Sequence, residues 1–69
     1  MIRKIEVDAA IDDMNDFIVF MEELSIEVVV VDECNSITNW PTVRLIGDED
    51  KLTEYLIEND WEDLVGEWL

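Results

Sequence analysis

Carboxylates are the only side chains in this sequence that are numerous enough to suggest chemistry. The chain carries 19 aspartates and glutamates against 4 lysines and arginines, and it has no histidine. Cys34 has no basic neighbour in the sequence, and Ser25 and Ser36 lack the setting of a nucleophile. With so many carboxylates, any two could be paired as acid and base, so no particular pair is indicated. Because the usual sets of acid, base and nucleophile are missing, we expect no catalytic residues and no enzyme activity.

The stretch GDEDKLTEYLIEND (47–60) comes nearest to a ligand-binding motif. It places Asp48 and Asp50 beside Gly47, as acids are placed in calcium loops. A calcium loop also needs a ligand at its fifth position, a glycine at its sixth and a glutamate at its twelfth. All three are missing, and the twelfth residue counted from Asp48 is Asn59. Acids that cap a helix N-terminus explain the stretch better, so the sequence predicts neither a metal nor a cofactor.

Net charge is the strongest functional signal. The formal charge is −15, whereas a magnitude of about 2–8 is enough to keep a small domain soluble. Such a charge repels phosphate groups, so we expect no direct binding to nucleic acid or to an anionic membrane. The expected partner is a basic protein. The lone Cys34 in so short a chain favours a reduced thiol, and hence a cytoplasmic protein.

Several acids lie where they cost stability unless something basic meets them. Glu22 and Glu23 stand at the end of a predicted helix, where an anion is disfavoured. Like charges one helical turn apart, as at Asp12 and Asp16, repel each other. Val19 and Phe20 border these acids as apolar anchors. We therefore predict a partner-binding surface made of the following residues: Asp12, Asp13, Asp16, Val19, Phe20, Glu22, Glu23, Glu54, Glu58, Glu62 and Asp63.

In size and charge the chain resembles the small acidic inhibitors and DNA mimics that phages and mobile elements encode. The resemblance covers no residue motif. It implies a non-catalytic inhibitor that occupies the groove of a basic nucleic-acid-binding, nuclease or defence protein. Helical carboxylates four residues apart rise about 6 Å, so rows of them can imitate a line of phosphates. Two alternatives stay open: an immunity protein or antitoxin that neutralises one toxin, and a small regulatory subunit that docks through its tryptophan-rich C-terminal segment.

Hydrophobic periodicity predicts one α+β domain over residues 1–69. The expected elements, in order, are a strand at 2–7, an amphipathic helix within 9–24 capped by Asp8, a buried strand at 26–31, a strand at 42–47 and a helix at roughly 49–58 opened by Asp48. This β-α-β-β-α order predicts a split β-α-β, ferredoxin-like layout. Its three-stranded mixed sheet would carry the helices on one face.

The tail NDWEDLVGEWL (59–69) has its own apolar stripe. Apolar residues recur at helical spacing, at Trp61, Leu64, Val65, Trp68 and Leu69. If the preceding helix ran on unbroken, this stripe would lie about 180° from that helix's apolar face. Either the chain turns near Asn59 and a short third helix covers the core, or the stripe contacts a partner or a second copy in a homodimer. An apolar helical stripe is usually core, which favours the turn.

Overall fold

The computed structural model describes residues 1–34, 36–37 and 39–69. The elements follow one another as β1 (Ile2–Asp8), α1 (Met14–Glu23), β2 (Glu27–Asp32), β3 (Thr42–Asp48), α2 (Glu49–Glu58) and a single 3-10 turn (Glu62–Leu64). The predicted α+β class, with three strands and two helices, is confirmed. The predicted bounds of the second helix are also correct.

The sheet has the order β1-β3-β2, with β3 in the centre and antiparallel to both neighbours. Ile5 lies opposite Leu45, and Val28 lies opposite Leu45 on the other side. The prediction of a mixed sheet was wrong. The strands joined by α1 do run in the same direction, but β3 lies between them, so both hydrogen-bonded ladders are antiparallel. The ferredoxin-like layout stays a prediction.

One face of the sheet packs against both helices. Alternate residues of the paired strands are buried on that face, at Ile5, Val7, Val43 and Leu45. α1 adds Met21 to the same core cluster, and α2 adds Leu52, Tyr55 and Leu56. Every second residue of a strand, and residues three or four apart in a helix, lie on the same face. The buried residues follow these two spacings, as the sequence pattern predicts.

β2 is an edge strand and is more exposed than predicted. Val29, Val30 and Val31 are all exposed, so the expectation of a buried strand was wrong. Within the described residues β2 pairs only with β3, and the pairing slips between Val30 and Asp32. The β-branched residues therefore indicated a strand correctly, but an outer strand shields fewer side chains than a central one.

α1 begins later than predicted. Asp8 does not cap a helix; it ends β1, and its carboxylate accepts a hydrogen bond from the Thr42 hydroxyl. The helix starts at Met14, and Asp13 is its N-cap. The Asp13 Oδ1 accepts from the Asp16 backbone N–H at 3.2 Å, which satisfies one of the free donors at the helix start.

The C-terminal tail is not a helix beyond its single 3-10 turn. Asp60 has a φ of 61° and Gly66 a φ of 94°. Both values lie in the left-handed region, which ends a right-handed helix. The predicted third helix was therefore wrong, whereas the predicted turn near Asn59 is correct, since Asn59 is the C-cap of α2 and Asp60 follows with a positive φ. Trp61, Leu64 and Trp68 nevertheless pack against the core cluster.

The last residue fastens the tail to the first strand. The Leu69 backbone N–H donates to the Lys4 carbonyl oxygen at 2.8 Å. The side chains of Val65 and Leu69 stay exposed, unlike those of the other three members of the predicted stripe. The homodimer contact through Trp61, Leu64, Val65 and Trp68 stays a prediction, although three of these four residues already contact the core of their own chain.

Candidate partner-binding surface

All the residues of the predicted partner-binding surface are exposed: Asp12, Asp13, Asp16, Val19, Phe20, Glu22, Glu23, Glu54, Glu58, Glu62 and Asp63. They divide between α1 with the loop before it, α2, and the 3-10 turn of the tail.

The outer side of α1 carries a stripe of four residues, Asp16, Val19, Phe20 and Glu23, which we call the α1 stripe. Their spacing of i, i+3, i+4 and i+7 puts them on one side of the helix. Val19 and Phe20 are each 55% exposed. The core side of the helix is formed by other residues, including Met21. The stripe therefore presents two neighbouring apolar side chains with an acid one turn away at each end.

Asp12 does not belong to this stripe. It was predicted on the outer line of a helix within 9–24, but it lies in the loop before α1, together with the N-cap Asp13. The late start of the helix is the reason. Asp12 and Asp13 instead gather at the positive end of α1, where carboxylates are favoured.

The second acidic set begins on α2. Glu54 and Glu58 are exposed one turn apart, and Ile57 beside them is 50% exposed. The end of α1 comes close to this set, because Leu24 lines a small cavity of about 170 Å³ with Glu54 and Glu58. The sequence analysis did not include Ile57 in the surface. Its exposure was predictable, because it lies outside the i, i+3, i+4 set of α2 residues that faces the core.

Glu62 and Asp63 continue the acids beyond α2. They are the first two residues of the 3-10 turn, and both are exposed. The turn contacts α2, so these acids extend the α2 set rather than the α1 stripe.

Among the described residues, Arg3, Lys4 and Arg44 lie on the sheet, and Lys51 of α2 lines the small cavity at the end of α1 together with Leu24. No lysine or arginine occurs between Ile5 and Val43 in the sequence. In the sheet, Arg3 Nε pairs with Glu49 Oε1 at 2.7 Å, and an Arg44 terminal nitrogen pairs with Glu6 Oε1 at 3.2 Å. These pairs engage an acid of β1 and the first residue of α2, and neither pair involves an acid of α1 or of the loop before it.

In the described part of the chain, Asp48 and Tyr55 have displaced pKa values, and the displacements have structural causes. The backbone N–H of Asp50 and the N-terminal ammonium lower the pKa of Asp48, the N-cap of α2. Burial raises the pKa of Tyr55. Within the described residues, no group of three or more cysteine, aspartate or glutamate side chains is arranged to hold a metal ion.

An open groove that the sequence analysis missed lies between the loop before α1 and the end of α2. Its volume is about 520 Å³. We call it the aromatic groove, and its lining includes Asp12, Asp13, Phe17, Trp40, Tyr55 and Trp61. Four separate parts of the chain contribute its rings. The signal in the sequence was Trp40, an aromatic residue placed in an otherwise polar connection just before Pro41.

Comparison with known proteins gives no assignment: no family model matches the chain, and no curated protein or solved structure matches it. Among the described residues, no helix is both long and apolar enough to cross a bilayer.

Proposed function

We propose that this chain is a non-catalytic, acidic protein-binding module that acts as a DNA-mimic inhibitor. Its target would be a basic nucleic-acid-binding or nuclease protein of a defence system, and its setting the cytoplasm of a cell that harbours a phage or mobile element. The observation that carries the proposal is the α1 stripe. It joins two half-exposed apolar residues to flanking acids on a protein of charge −15.

Charge and apolar contact would have separate tasks on this surface. A strongly negative surface speeds the encounter with a basic partner, while apolar contacts mainly slow dissociation. A single exposed valine is common and needs no explanation. Here Val19 and Phe20 are adjacent and equally exposed, and acids lie one turn away on both sides.

The spacing of the acids supports mimicry of a phosphate row. Asp16 and Glu23 are seven residues apart in α1, which corresponds to a rise of about 10.5 Å. Three phosphate intervals along one strand of duplex DNA span about 10 Å. Glu54 and Glu58 in α2 rise about 6 Å, close to two intervals. A groove shaped for a phosphate backbone could therefore accept carboxylates from both helices.

The tryptophan-rich segment supports a docking role less well. Trp61 and Trp68 contact their own core, and a partner could reach them fully only if the tail were displaced. An immunity protein or antitoxin would use the same acidic surface. It differs from a DNA mimic in one testable respect, because its target could keep nucleic acid while bound.

The test begins with charge reversal after the partner has been isolated by affinity capture. Asp16→Lys with Glu23→Lys should slow association at low salt by about ten-fold or more and flatten its dependence on salt. The matched control is Glu27→Lys with Asp32→Lys on β2, which changes the net charge equally at another exposed place. A control that slows association as much as the α1 variant would show that only overall charge matters.

The apolar anchors are tested by dissociation. Val19→Asp or Phe20→Asp should leave the fold intact, because each side chain is 55% exposed, and should speed dissociation without slowing association as strongly as charge reversal.

Competition with DNA decides between mimicry and its alternatives. The partner, loaded with labelled duplex DNA at about 0.15 M salt, should release the DNA in proportion to the inhibitor added. A stable complex that holds both DNA and this chain would refute mimicry and favour the immunity or antitoxin role.

A further inference from the structure

We infer that the aromatic groove binds an arginine side chain of the partner protein, with the guanidinium group between the aromatic rings and the carboxylates of Asp12 and Asp13. This inference rests on the proposed function, because it names the chemical group by which the chain would hold its basic partner.

The rings of the groove come from four places in the chain. Phe17 lies on α1, Trp40 in the connection before β3, Tyr55 on α2 and Trp61 in the tail. The centroids of Tyr55 and Trp61 are 6.1 Å apart, and their planes are inclined by 51°. An aromatic face attracts a cation that lies within about 6 Å of its centroid, and tryptophan does so best. The groove volume of about 520 Å³ falls in the ordinary range for ligand sites.

The electrostatic sign of the groove favours a cation. Asp12 and Asp13 line it, and none of the described residues that line it is basic. The N-terminus of α1 contributes about half a positive charge there, and the C-terminus of α2, at Asn59, contributes about half a negative charge. These partial charges cancel, so about two negative charges from the carboxylates remain. α2 has no basic residue in its last turn to offset its negative end.

The two carboxylates are not equivalent. Asp13 already accepts a hydrogen bond from the Asp16 backbone N–H at 3.2 Å, so part of its capacity is used within α1. Asp12 is exposed in the loop and is placed to meet an incoming donor.

Arginine fits this combination better than lysine. Its guanidinium group is planar, stacks on aromatic faces and is weakly hydrated, while its fork of N–H donors matches a carboxylate. A lysine ammonium is compact and strongly hydrated, so it loses more on leaving water. We therefore expect the groove to prefer arginine to lysine.

The test is a titration of the intact chain with N-acetyl-arginine amide, followed by NMR of the tryptophan indole N–H signals. The chain supplies its own reference, because Trp68 packs against the core and does not line the groove. We expect saturable shifts at Trp40 and Trp61, and none of comparable size at Trp68. N-acetyl-citrulline amide has almost the same shape without the charge, and it should bind about ten-fold more weakly. N-acetyl-lysine amide should fall between the two.

Two neutralising variants separate the groove from diffuse charge. Asp12→Asn should weaken arginine binding about three-fold or more, because it removes a carboxylate at the groove. Glu27→Gln, on β2 and outside the groove, removes the same charge and should leave binding unchanged. Trp40→Ala, in a 49% exposed position, should abolish the saturable shift at Trp61 while the far-UV circular dichroism stays that of the folded chain.

The inference is overturned if arginine and citrulline shift Trp40 and Trp61 equally, if Trp68 shifts with them, or if Asp12→Asn and Glu27→Gln weaken binding equally. These outcomes leave the proposed function standing, because they involve neither the α1 stripe nor competition with DNA. Conversely, a partner that keeps its DNA while bound would refute mimicry without altering the result of the titration.

Discussion

Trp68→Ala tests whether the non-helical tail is part of the core. Trp68 is half-buried and packs against the cluster formed by the sheet and both helices. Removing a fully buried aromatic side chain costs about 3–5 kcal/mol, so a half-buried one should cost about 2 kcal/mol. The core of a chain this short supplies only about 3–5 kcal/mol in total. The substitution should therefore remove about half of the stability and lower the melting temperature by about 8–16 °C.

The assay is urea and thermal unfolding followed by far-UV circular dichroism, since tryptophan fluorescence would change with the substitution itself. Trp40→Ala is the matched control: the same side chain is deleted at a position that is 49% exposed and outside the core cluster. It should cost less than about 1 kcal/mol. Ending the chain after Glu67 also removes the hydrogen bond from Leu69 to Lys4 and should cost about 0.5–1.5 kcal/mol more than Trp68→Ala. A Trp68→Ala variant that melts within about 2 °C of the parent, a shift worth less than 0.5 kcal/mol, would refute the core assignment.

Three further predictions concern the sheet, pH and salt. Gly47→Ala places a Cβ 3.3 Å from both Ile26 Cγ1 and the Ser25 carbonyl oxygen, so the unfolding free energy measured in urea should fall by about 1 kcal/mol; an unchanged value would mean that Ile26 yields. Hydrogen bonds from the Asp50 N–H and the N-terminal ammonium lower the pKa of Asp48 from 3.8, so its carboxylate stabilises the fold above that pH, and the contribution is lost as the pH falls through the lower, folded value. The parent should therefore be more stable than Asp48→Asn at about pH 7, and a difference that persists at about pH 2 would contradict this origin. Raising NaCl from about 0.05 M to about 0.5 M at pH 7 should raise the melting temperature, because salt screens the repulsion among the 19 acids; a decrease would show that ion pairs outweigh repulsion.

Local signals sufficed for part of the fold. α2 was located correctly because Asp48 caps it and because Leu52, Tyr55 and Leu56 repeat at helical spacing. The start of α1 was not located correctly, because Asp8 and Asp13 are both acids that can cap a helix. Only the pairing of Asp8 with Thr42, a residue 34 positions away, decides between them. Strand order is likewise a property of long-range pairing, which no local pattern encodes.

The tail shows a different limit. Apolar residues at helical spacing indicated a helix, yet Asp60 and Gly66 both adopt positive φ values. Gly66 could have signalled a positive φ from the sequence. Asp60 could not, because a positive φ is uncommon for any residue other than glycine, although aspartate is enriched there. Most of the apolar side chains still reach the core. The pattern therefore predicted their burial correctly but predicted the wrong backbone conformation.

One part of the candidate surface could be predicted from the sequence, and another part could not. Exposure of Val19 and Phe20 followed from the helical period, because the core side of α1 was identifiable from sequence. The aromatic groove could not be predicted from the helical period. Phe17, Trp40 and Trp61 become neighbours only in the folded chain, where the loop before α1, the connection before β3 and the tail meet at the end of α2.

The free edge of β2 gives the negative charge a second consequence, for colloidal stability. On one side β2 has no neighbouring strand among the described residues, and Val29, Val30 and Val31 are exposed along it. Such an edge is a template on which another copy of the chain can add a strand. Runs of valine without proline or glycine are also typical of segments that form amyloid. Each approaching copy carries a charge of −15, so electrostatic repulsion between copies opposes strand addition at this edge at neutral pH. Acidification, or neutralisation by polycations, would remove this repulsion and allow the valine run to form fibrils.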